Sequence, residues 1–164
     1  MKNARGKEPM PRRWTVGALM TSQPFTIGRR ESLETTHKLM REHRIRHLPV
    51  LERGELIGVV SQRDLYFVET LRGVDDVEND IVEDAMSTDT YAVAPEAAIG
   101  AVAKSMALHH YGCAVVIERG KVAGIFTVTD ALRLIAALAP GLGSSRTPAR
   151  DATAAHAVAV RSAP

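Results

Sequence analysis

Short apolar runs alternate with amphipathic stretches along this chain, and the whole pattern occurs twice. In the first occurrence Leu33, Thr36, Leu39 and Met40 fall at helical spacing behind Ser32, which predicts a capped amphipathic helix. Two short, nearly all-apolar runs follow with a turn between them, which predicts a pair of strands buried on both faces. A second helix comes next, so the pattern predicts a β-α-β-β-α unit.

Internal repetition organises the sequence. Shifting the chain by 66 positions aligns it with itself without a gap, and eleven positions over residues 16–64 are identical in the shifted copy. The identical pairs include Met20/Met86, Lys38/Lys104, Met40/Met106, His43/His109, Val50/Val116, Gly58/Gly124 and Asp64/Asp130. The triplet Glu-Arg-Gly also repeats, at 52–54 and 118–120. We therefore predict two tandem copies of one unit.

The two copies predict matching elements. Copy one is expected to hold a helical turn at 16–20, an extended segment at 25–27, the helix behind Ser32, strands at 47–51 and 56–60 joined by Arg53-Gly54, and a helix at 63–71. Copy two is expected to hold a helical turn at 82–86, an extended segment at 91–93, a helix with Pro95 just inside its start, strands at 113–117 and 122–126, and a helix at 129–139 that ends before Pro140-Gly141.

Composition shifts mark the boundaries. We predict a flexible basic arm at 1–13, copy one at 14–72, an acidic linker at 73–80, copy two at 81–139, and a disordered tail rich in Ala, Pro and Ser at 140–164. Hydrophobic residues make up 45% of the chain and aromatic residues only 4%, so the core must be aliphatic. There is no apolar run of about 20 residues and no visible secretory signal, and the single Cys113 has no partner for an internal disulfide; a cytoplasmic location is expected.

Charge is distributed unevenly. The net charge is +2, yet residues 1–13 carry +4 and residues 140–164 carry +2, so the middle of the chain is acidic overall. Seven Arg or Lys lie within 29–53, but four acids are interspersed, which predicts a mixed, solvated surface. A basic folded surface for nucleic acid is therefore not predicted.

Several pieces of this sequence together resemble one family, the CBS domain. They are Met20 and Met86, the strand Arg46-His-Leu-Pro-Val50, and the segments 58–64 and 124–130, which run from a glycine to an aspartate. The resemblance implies an α/β (α+β) fold of two tandem β-α-β-β-α repeats related by a pseudo-two-fold axis, with the sheets packed together and the helices outside. It also implies clefts between the copies that hold AMP, ADP, ATP or S-adenosylmethionine, a disk-like homodimer, and an effector protein that responds to the ligand.

Each copy contains a hydroxyl residue three positions before an aspartate at a predicted helix start, Ser61/Asp64 and Thr127/Asp130. A carboxylate there can accept hydrogen bonds from both ribose hydroxyls, and a helix N-terminus favours a nearby phosphate. Ser, Thr and Asp are also enriched at helix starts as simple caps. Either copy alone favours the cap; both together, inside the family pattern, favour nucleoside binding.

In the resembled family each aspartate faces the opposite copy, which predicts two site groups. The second cleft would combine Thr127, Thr129 and Asp130 with Pro24, Phe25, Ile45, Arg46 and His47. The first would combine Ser61, Arg63 and Asp64 with Thr90, Tyr91, Tyr111 and Gly112. Because Arg46 and His47 could meet phosphate, whereas copy two has Gly112 and Cys113 there, the Asp130 cleft is expected to be the better phosphate site.

Other chemistry is not predicted. No histidine spacing matches a zinc site, Cys113 begins an apolar strand and is expected to be a packed small hydrophobe, and no set of catalytic groups or required cofactor is visible. The leading hypothesis is a stand-alone sensor that is not an enzyme. The alternatives are a ligand-free dimerisation scaffold, an enzyme, and a nucleic-acid binder that uses the basic arm.

Overall fold

The computed structural model describes residues 14–72 and 80–139, so the expectations for the arm, for most of the linker and for the tail lie outside the described residues. Within that part the chain forms six helices and seven strands. They are α1 (Val16–Leu19), β1 (Thr21–Ser22), β2 (Ile27–Gly28), α2 (Leu33–His43), β3 (His47–Glu52), β4 (Glu55–Ser61), α3 (Gln62–Arg72), α4 (Val82–Ala85), β5 (Ala92–Val93), α5 (Ile99–His109), β6 (Cys113–Glu118), β7 (Lys121–Thr127) and α6 (Val128–Leu138).

The duplication is visible in the backbone. One sheet has the order β2-β3-β4 and the other β1-β7-β6-β5; β2 and β5 run parallel to their neighbours β3 and β6, and both hairpins are antiparallel. Both hairpins carry a register shift at the same repeat position, after Val50 and after Val116. Both turn through Arg-Gly with positive φ, 51° at Arg53 and at Arg119. The predicted mixed fold of two matching units is confirmed, and the sheets meet where β4 faces β7.

The short helices that lead each copy are exchanged between the copies. Helix α1 begins copy one, yet Val16 N donates to Ala97 O of copy two at 2.9 Å, and strand β1 pairs with β7. In the same way Val82 N of α4 donates to Glu31 O of copy one at 2.9 Å. Each copy is therefore completed by the leading helix of the other.

The exchange also completes the two hydrophobic cores. Val82 is fully buried in the core of copy one, with Leu33 and Leu48, and Val16 is fully buried in the core of copy two, with Phe126. Burial of each such side chain contributes about 1.5–3 kcal/mol. The two copies are thus mutually dependent for stability.

The exchange of leading helices explains the repeated glycines Gly58 and Gly124. A Cβ atom built on Gly58 would lie 2.8 Å from the Ser87 carbonyl oxygen and 3.1 Å from Met86 Sδ, and one on Gly124 would lie 2.8 Å from Met20 Cγ. The glycine of each copy therefore leaves room for the methionine of the other copy's leading segment. Packing between the copies accounts for these methionines.

Arg29 ties the end of β3 to α4. Its Nη1 lies 3.0 Å from Glu52 Oε1 and its Nε lies 3.0 Å from Glu83 Oε2. Hydrogen bonds to Glu83 and Glu52 raise the pKa of Arg29 above its ordinary value. This bridge is a second link between copy one and the leading helix of copy two.

One predicted helix start is wrong. The sequence placed Pro95 just inside the first long helix of copy two, but α5 begins at Ile99 behind Ala98, which makes no side-chain cap. Pro95 lies in the preceding turn, and its carbonyl accepts a hydrogen bond of 2.8 Å from Gly17 N. The turn is needed to seat α1, so tertiary contact overrides the local preference of proline for a helix start.

Candidate ligand-binding clefts

The two Ser/Thr-x-x-Asp elements form the same reciprocal cap. Asp64 Oδ2 accepts hydrogen bonds from Ser61 N at 2.9 Å and Ser61 Oγ at 2.6 Å, while Asp64 N donates to Ser61 Oγ at 3.3 Å. Thr127 and Asp130 repeat this geometry at 2.9, 2.7 and 3.3 Å. Both aspartates are therefore helix caps, and each cap uses one carboxylate oxygen.

The second oxygens differ between the copies. Asp130 Oδ1 accepts a hydrogen bond of 3.2 Å from Arg133 Nη1, whose side chain is 75% exposed. Asp64 Oδ1 has no such partner within the described residues. An exposed ion pair of this kind contributes at most about 1 kcal/mol, so a ligand hydroxyl can displace it.

Arg46 joins the two copies at the second cleft. Its Nη2 donates to Thr129 Oγ1 at 3.3 Å, and its backbone carbonyl accepts from Gln62 N at 3.0 Å, at the start of α3. The structure thus brings Arg46 of copy one to the helix start that carries Asp130. Guanidinium and helix N-terminus together form a positive environment for an anionic group.

Phe25, Pro24 and Ile45 are the apolar members of the predicted second site group. The Phe25 ring is stacked on His43, with 3.8 Å between ring centroids and 22° between the planes, and Phe25 is 48% exposed. Pro24 and Ile45 are half-buried. His43 was not among the predicted site residues; the repeated pair His43/His109, each four residues before the following strand, is the signal in the sequence that could have indicated an aromatic partner.

The His47 ring packs on Gly112, a residue of the first site group. The Gly112 carbonyl in turn accepts a hydrogen bond of 3.1 Å from Val128 N, at the start of the helix that carries Asp130. Burial lowers the pKa of His47, helped by the charges of Arg46 and Arg63 and opposed by Asp64. His47 is therefore neutral near pH 7 and is not a permanent positive charge for phosphate.

A cavity of about 320 Å³ lies beside Asp64. It is lined by Asp64, Phe67, Val68, Leu71, Asp84 and Ala85, so its polar groups are carboxylates and the rest of its lining is apolar. Thr90, Tyr91, Tyr111 and Gly112, the expected opposite wall, do not line it. The apolar lining from α3 was not predicted. Phe67 and Leu71, at helical spacing behind Asp64, are the signal in the sequence that could have indicated it.

The expected wall of copy two forms an aromatic cluster instead. Tyr91 and Tyr111 are stacked at 5.2 Å between centroids, and His109 lies 5.5 Å from Tyr111. The Thr90 hydroxyl is buried without a hydrogen-bond partner among the described residues. Arg63 is exposed. Among the described residues predicted for the first cleft, the aromatic rings offer stacking surfaces and Arg63 is the one cation, so its lower rank for phosphate stays a prediction.

The remaining reactive group is inert. Cys113 is buried, and burial raises the pKa of its thiol to about 12. The nucleophilic thiolate is therefore negligible at neutral pH. In the two described segments no group of three His, Cys, Asp or Glu could hold a metal ion, and no helix is long and apolar enough to cross a membrane.

The family model described as CBS domain matches residues 16–68 and 82–137, which together are more than half of the chain. The chain belongs to the CBS domain family. Its two copies are two CBS domains in tandem, as the resemblance implied, and the matched ranges coincide with the two repeats.

Relatives with this module differ in what surrounds it. Over 107 residues the chain is 35% identical to inosine-5'-monophosphate dehydrogenase of Korarchaeum cryptofilum, which covers 65% of this chain but only 21% of that protein. It is 26% identical over 116 residues to the CBS domain-containing protein YhcV of Bacillus subtilis, covering 71% of this chain and 81% of that one. The shared part of the dehydrogenase is thus about a fifth of its length.

Solved structures show the same CBS-pair fold. A putative acetoin utilization protein, AcuB, from Vibrio cholerae is 30% identical with a TM-score of 0.69, covering 81% of this chain and 98% of that one. CBSX2 in complex with AMP is 24% identical with a TM-score of 0.65, covering 76% and 98%; CBSX2 is from Arabidopsis thaliana.

Proposed function

We propose that this CBS pair is a regulatory module that binds an adenosine-containing ligand (AMP, ADP, ATP or S-adenosylmethionine) between its repeats and passes the bound state to a partner protein. The observation that carries the proposal is the contact between Arg46 and Thr129, because it places a guanidinium of one copy at the helix start of the other. The ribose would hydrogen-bond Asp130, and the phosphate would lie between Arg46 and the N–H groups of α6.

The remaining groups of the second cleft fit a nucleoside. Phe25, stacked on His43 and half exposed, offers an aromatic face to a base, and Ile45 an apolar one. The CBSX2 structure was solved with AMP, so the CBS-pair fold can hold an adenosine compound. At 24% identity the similarity shows a shared fold and not shared ligand-binding residues. The proposal for this chain rests on its own cleft residues.

The first cleft is proposed as a weaker site of different character. The cavity beside Asp64, which Tyr91 and Tyr111 do not line, presents Asp64 and Asp84 among apolar side chains, and these carboxylates disfavour phosphate there by like-charge repulsion. A neutral or cationic adenosine compound, such as S-adenosylmethionine with its sulfonium, suits such a lining better than ATP does. No chemical reaction is proposed for either cleft, and the effect of the ligand would be to change the arrangement of the repeats.

The test is calorimetry of the whole chain with AMP, ATP, NAD and S-adenosylmethionine at constant ionic strength, supported by thermal unfolding. A binding ligand should raise the midpoint of unfolding with its concentration by mass action. Saturable binding by at least one adenosine compound supports the proposal. No heat and no shift with any of them would refute it.

A second candidate, a ligand-free dimerisation scaffold, is favoured by two observations. Both aspartates are already engaged as caps, and helix α6 has no buried residue although Leu132, Ile135 and Leu138 are each about 60% exposed. Phe67 and Leu71 of α3, at other repeat positions, are also more than 60% exposed. Such apolar faces indicate an interface, and we propose that a second copy of this chain covers them in a disk-like homodimer.

Light scattering tests the dimer separately from the ligand. Leu132→Asp combined with Ile135→Asp should convert a dimer into a monomer, because two charges would be desolvated in the interface. The exposed pair Lys104→Asp and Lys121→Asp serves as the control with the same substituent outside these faces. A dimer that binds none of the four ligands would favour the scaffold over the sensor.

A further inference from the structure

A groove of about 250 Å³ between α2 and α3 of copy one collects positive charge. Its polar lining residues are His37, Arg41, Arg44, Arg46, Gln62 and Tyr66, and it has no carboxylate in its lining. The three arginines are exposed, so their guanidinium groups are available to solvent. The sequence pattern had assigned these arginines to a mixed, solvated surface; the fold separates them from the interspersed acids.

The arginine charges of this groove are not neutralised by acidic side chains of the described residues. In the part of the chain that the structure describes, neither Arg41 nor Arg44 forms an ion pair or a side-chain hydrogen bond. The acid on the adjacent face of α3, Glu69, lies 2.8 Å from His37 Nε2. Three like charges gathered without a counterion repel one another, and a bound anion would remove that repulsion.

Copy two provides an internal comparison. The repeat-equivalent positions hold Ala103, Ala107, His110, Gly112, Val128 and Leu132, without a single arginine. The backbone is nevertheless the same: Arg44 and His110 both end their helices in the left-handed region, at φ 53° and 59°. The CBS fold therefore does not require the arginines of copy one.

We propose that this groove binds a phosphate-type oxyanion. The planar fork of arginine holds two oxygens of such a group at once, and Gln62 and Tyr66, 3.5 Å apart between Nε2 and the hydroxyl, add neutral donors at the start of α3. Arg46 and Ile45 belong both to this groove and to the residues proposed for the Asp130 cleft. The oxyanion is therefore either a free phosphate or polyphosphate, or the terminal phosphates of a nucleotide seated in that cleft.

Tripolyphosphate tests the groove without any adenosine, so the result does not depend on the proposed function. The test variant is Arg41→Gln/Arg44→Asn, since asparagine tolerates the left-handed backbone. Its control is Lys38→Gln/Arg53→Asn, which also removes one charge from α2 and one from a left-handed position, φ 51°, outside the groove. Calorimetry should show affinity for tripolyphosphate at least about tenfold weaker in the test variant and within about twofold of the unsubstituted chain in the control.

Equal weakening in both variants, or no binding by the unsubstituted chain, would overturn the proposal. If the groove binds tripolyphosphate, two further measurements identify the source of the phosphate. If it is a nucleotide tail, ATP should bind at least about tenfold more tightly than AMP, and Arg41→Gln/Arg44→Asn should abolish that preference while leaving AMP unchanged. If it is a free oxyanion, tripolyphosphate should bind Asp130→Ala as tightly as the unsubstituted chain and should not compete with ATP.

Discussion

The imidazole of His47 lies directly on the backbone of Gly112, across the boundary between the two CBS repeats. A Cβ atom at position 112 would come within 2.9 Å of His47 Cε1 and still closer to Nε2. A large side chain of copy one thus fits where copy two has no side chain. Positions 46–47 of copy one are equivalent to positions 112–113 of copy two, and the two clefts differ most at these positions.

This fit predicts a destabilised Gly112→Ala variant. The added methyl group must displace a half-buried ring, and overpacking of this kind typically costs about 1–3 kcal/mol of unfolding free energy. His47→Ala should recover most of that loss when the two substitutions are combined. Urea denaturation of the four chains measures the coupling, and a Gly112→Ala variant as stable as the unsubstituted chain would refute the contact.

Acidification should weaken the same region. Because burial holds the pKa of His47 below its ordinary value of 6.5, the unfolded chain binds more protons than the folded one between the two pKa values. The unfolding free energy therefore falls as the pH drops below about 6.5, and this contribution stops changing once the pH is below the folded pKa. His47→Gln should lose the effect between pH 7.5 and 5.5, whereas the exposed His110→Gln should keep it; identical pH profiles for both would contradict this account.

The exchange of leading segments predicts opposite effects for two glycine-to-alanine substitutions. Gly124→Ala should cost about 1–3 kcal/mol because the methyl group meets Met20 of the other repeat. Gly100→Ala, in helix α5 with no atom within 4 Å of the new Cβ, should stabilise by up to about 1 kcal/mol through helix propensity. Thermal unfolding distinguishes them, and a neutral Gly124→Ala would argue against the crossed packing.

Cys113 should be protected in the folded chain. Its pKa of about 12 and its burial leave negligible thiolate at pH 8, so a thiol reagent should react at least about a hundredfold faster in denaturant than in buffer. Absorbance of the released thiol-reagent anion follows both rates. Rapid labelling in buffer would place Cys113 at the surface and would reopen a nucleophilic role for it.

The fold was largely predictable because each copy carries the same local pattern of apolar and polar residues, so one copy supports the interpretation of the other. Periodicity located both long helices of copy one, and Ser32 caps α2 through Thr35 N as predicted. The exchanged leading helices were not predictable, since nothing in the local pattern of Val16 or Val82 says which copy buries it. Pro95 failed for the same reason: its role is set by Gly17, 78 positions away in the sequence.

The site was predictable only where the family resemblance assigns two segments to the same cleft. Arg46 and Thr129 were grouped because the resemblance pairs those segments, and the structure brings them into contact. His47 was grouped with Arg46, but its packing on Gly112 of the other site group is a long-range contact that the local pattern does not indicate. The arginine groove also escaped notice, because Glu42, the acid between Arg41 and Arg46 in sequence, does not line it.

The most direct test of the central claim compares Asp130→Ala with Asp64→Ala by calorimetry with ATP. The two substitutions remove matching caps whose hydrogen-bond lengths agree to within 0.1 Å, so their effects on helix stability should be similar and a large difference in affinity reports the clefts. Asp130→Ala is predicted to weaken ATP binding by at least about tenfold and Asp64→Ala by much less, because Arg46 lies at the Asp130 cleft. The reverse order, or equal small effects in both, would contradict the proposed site.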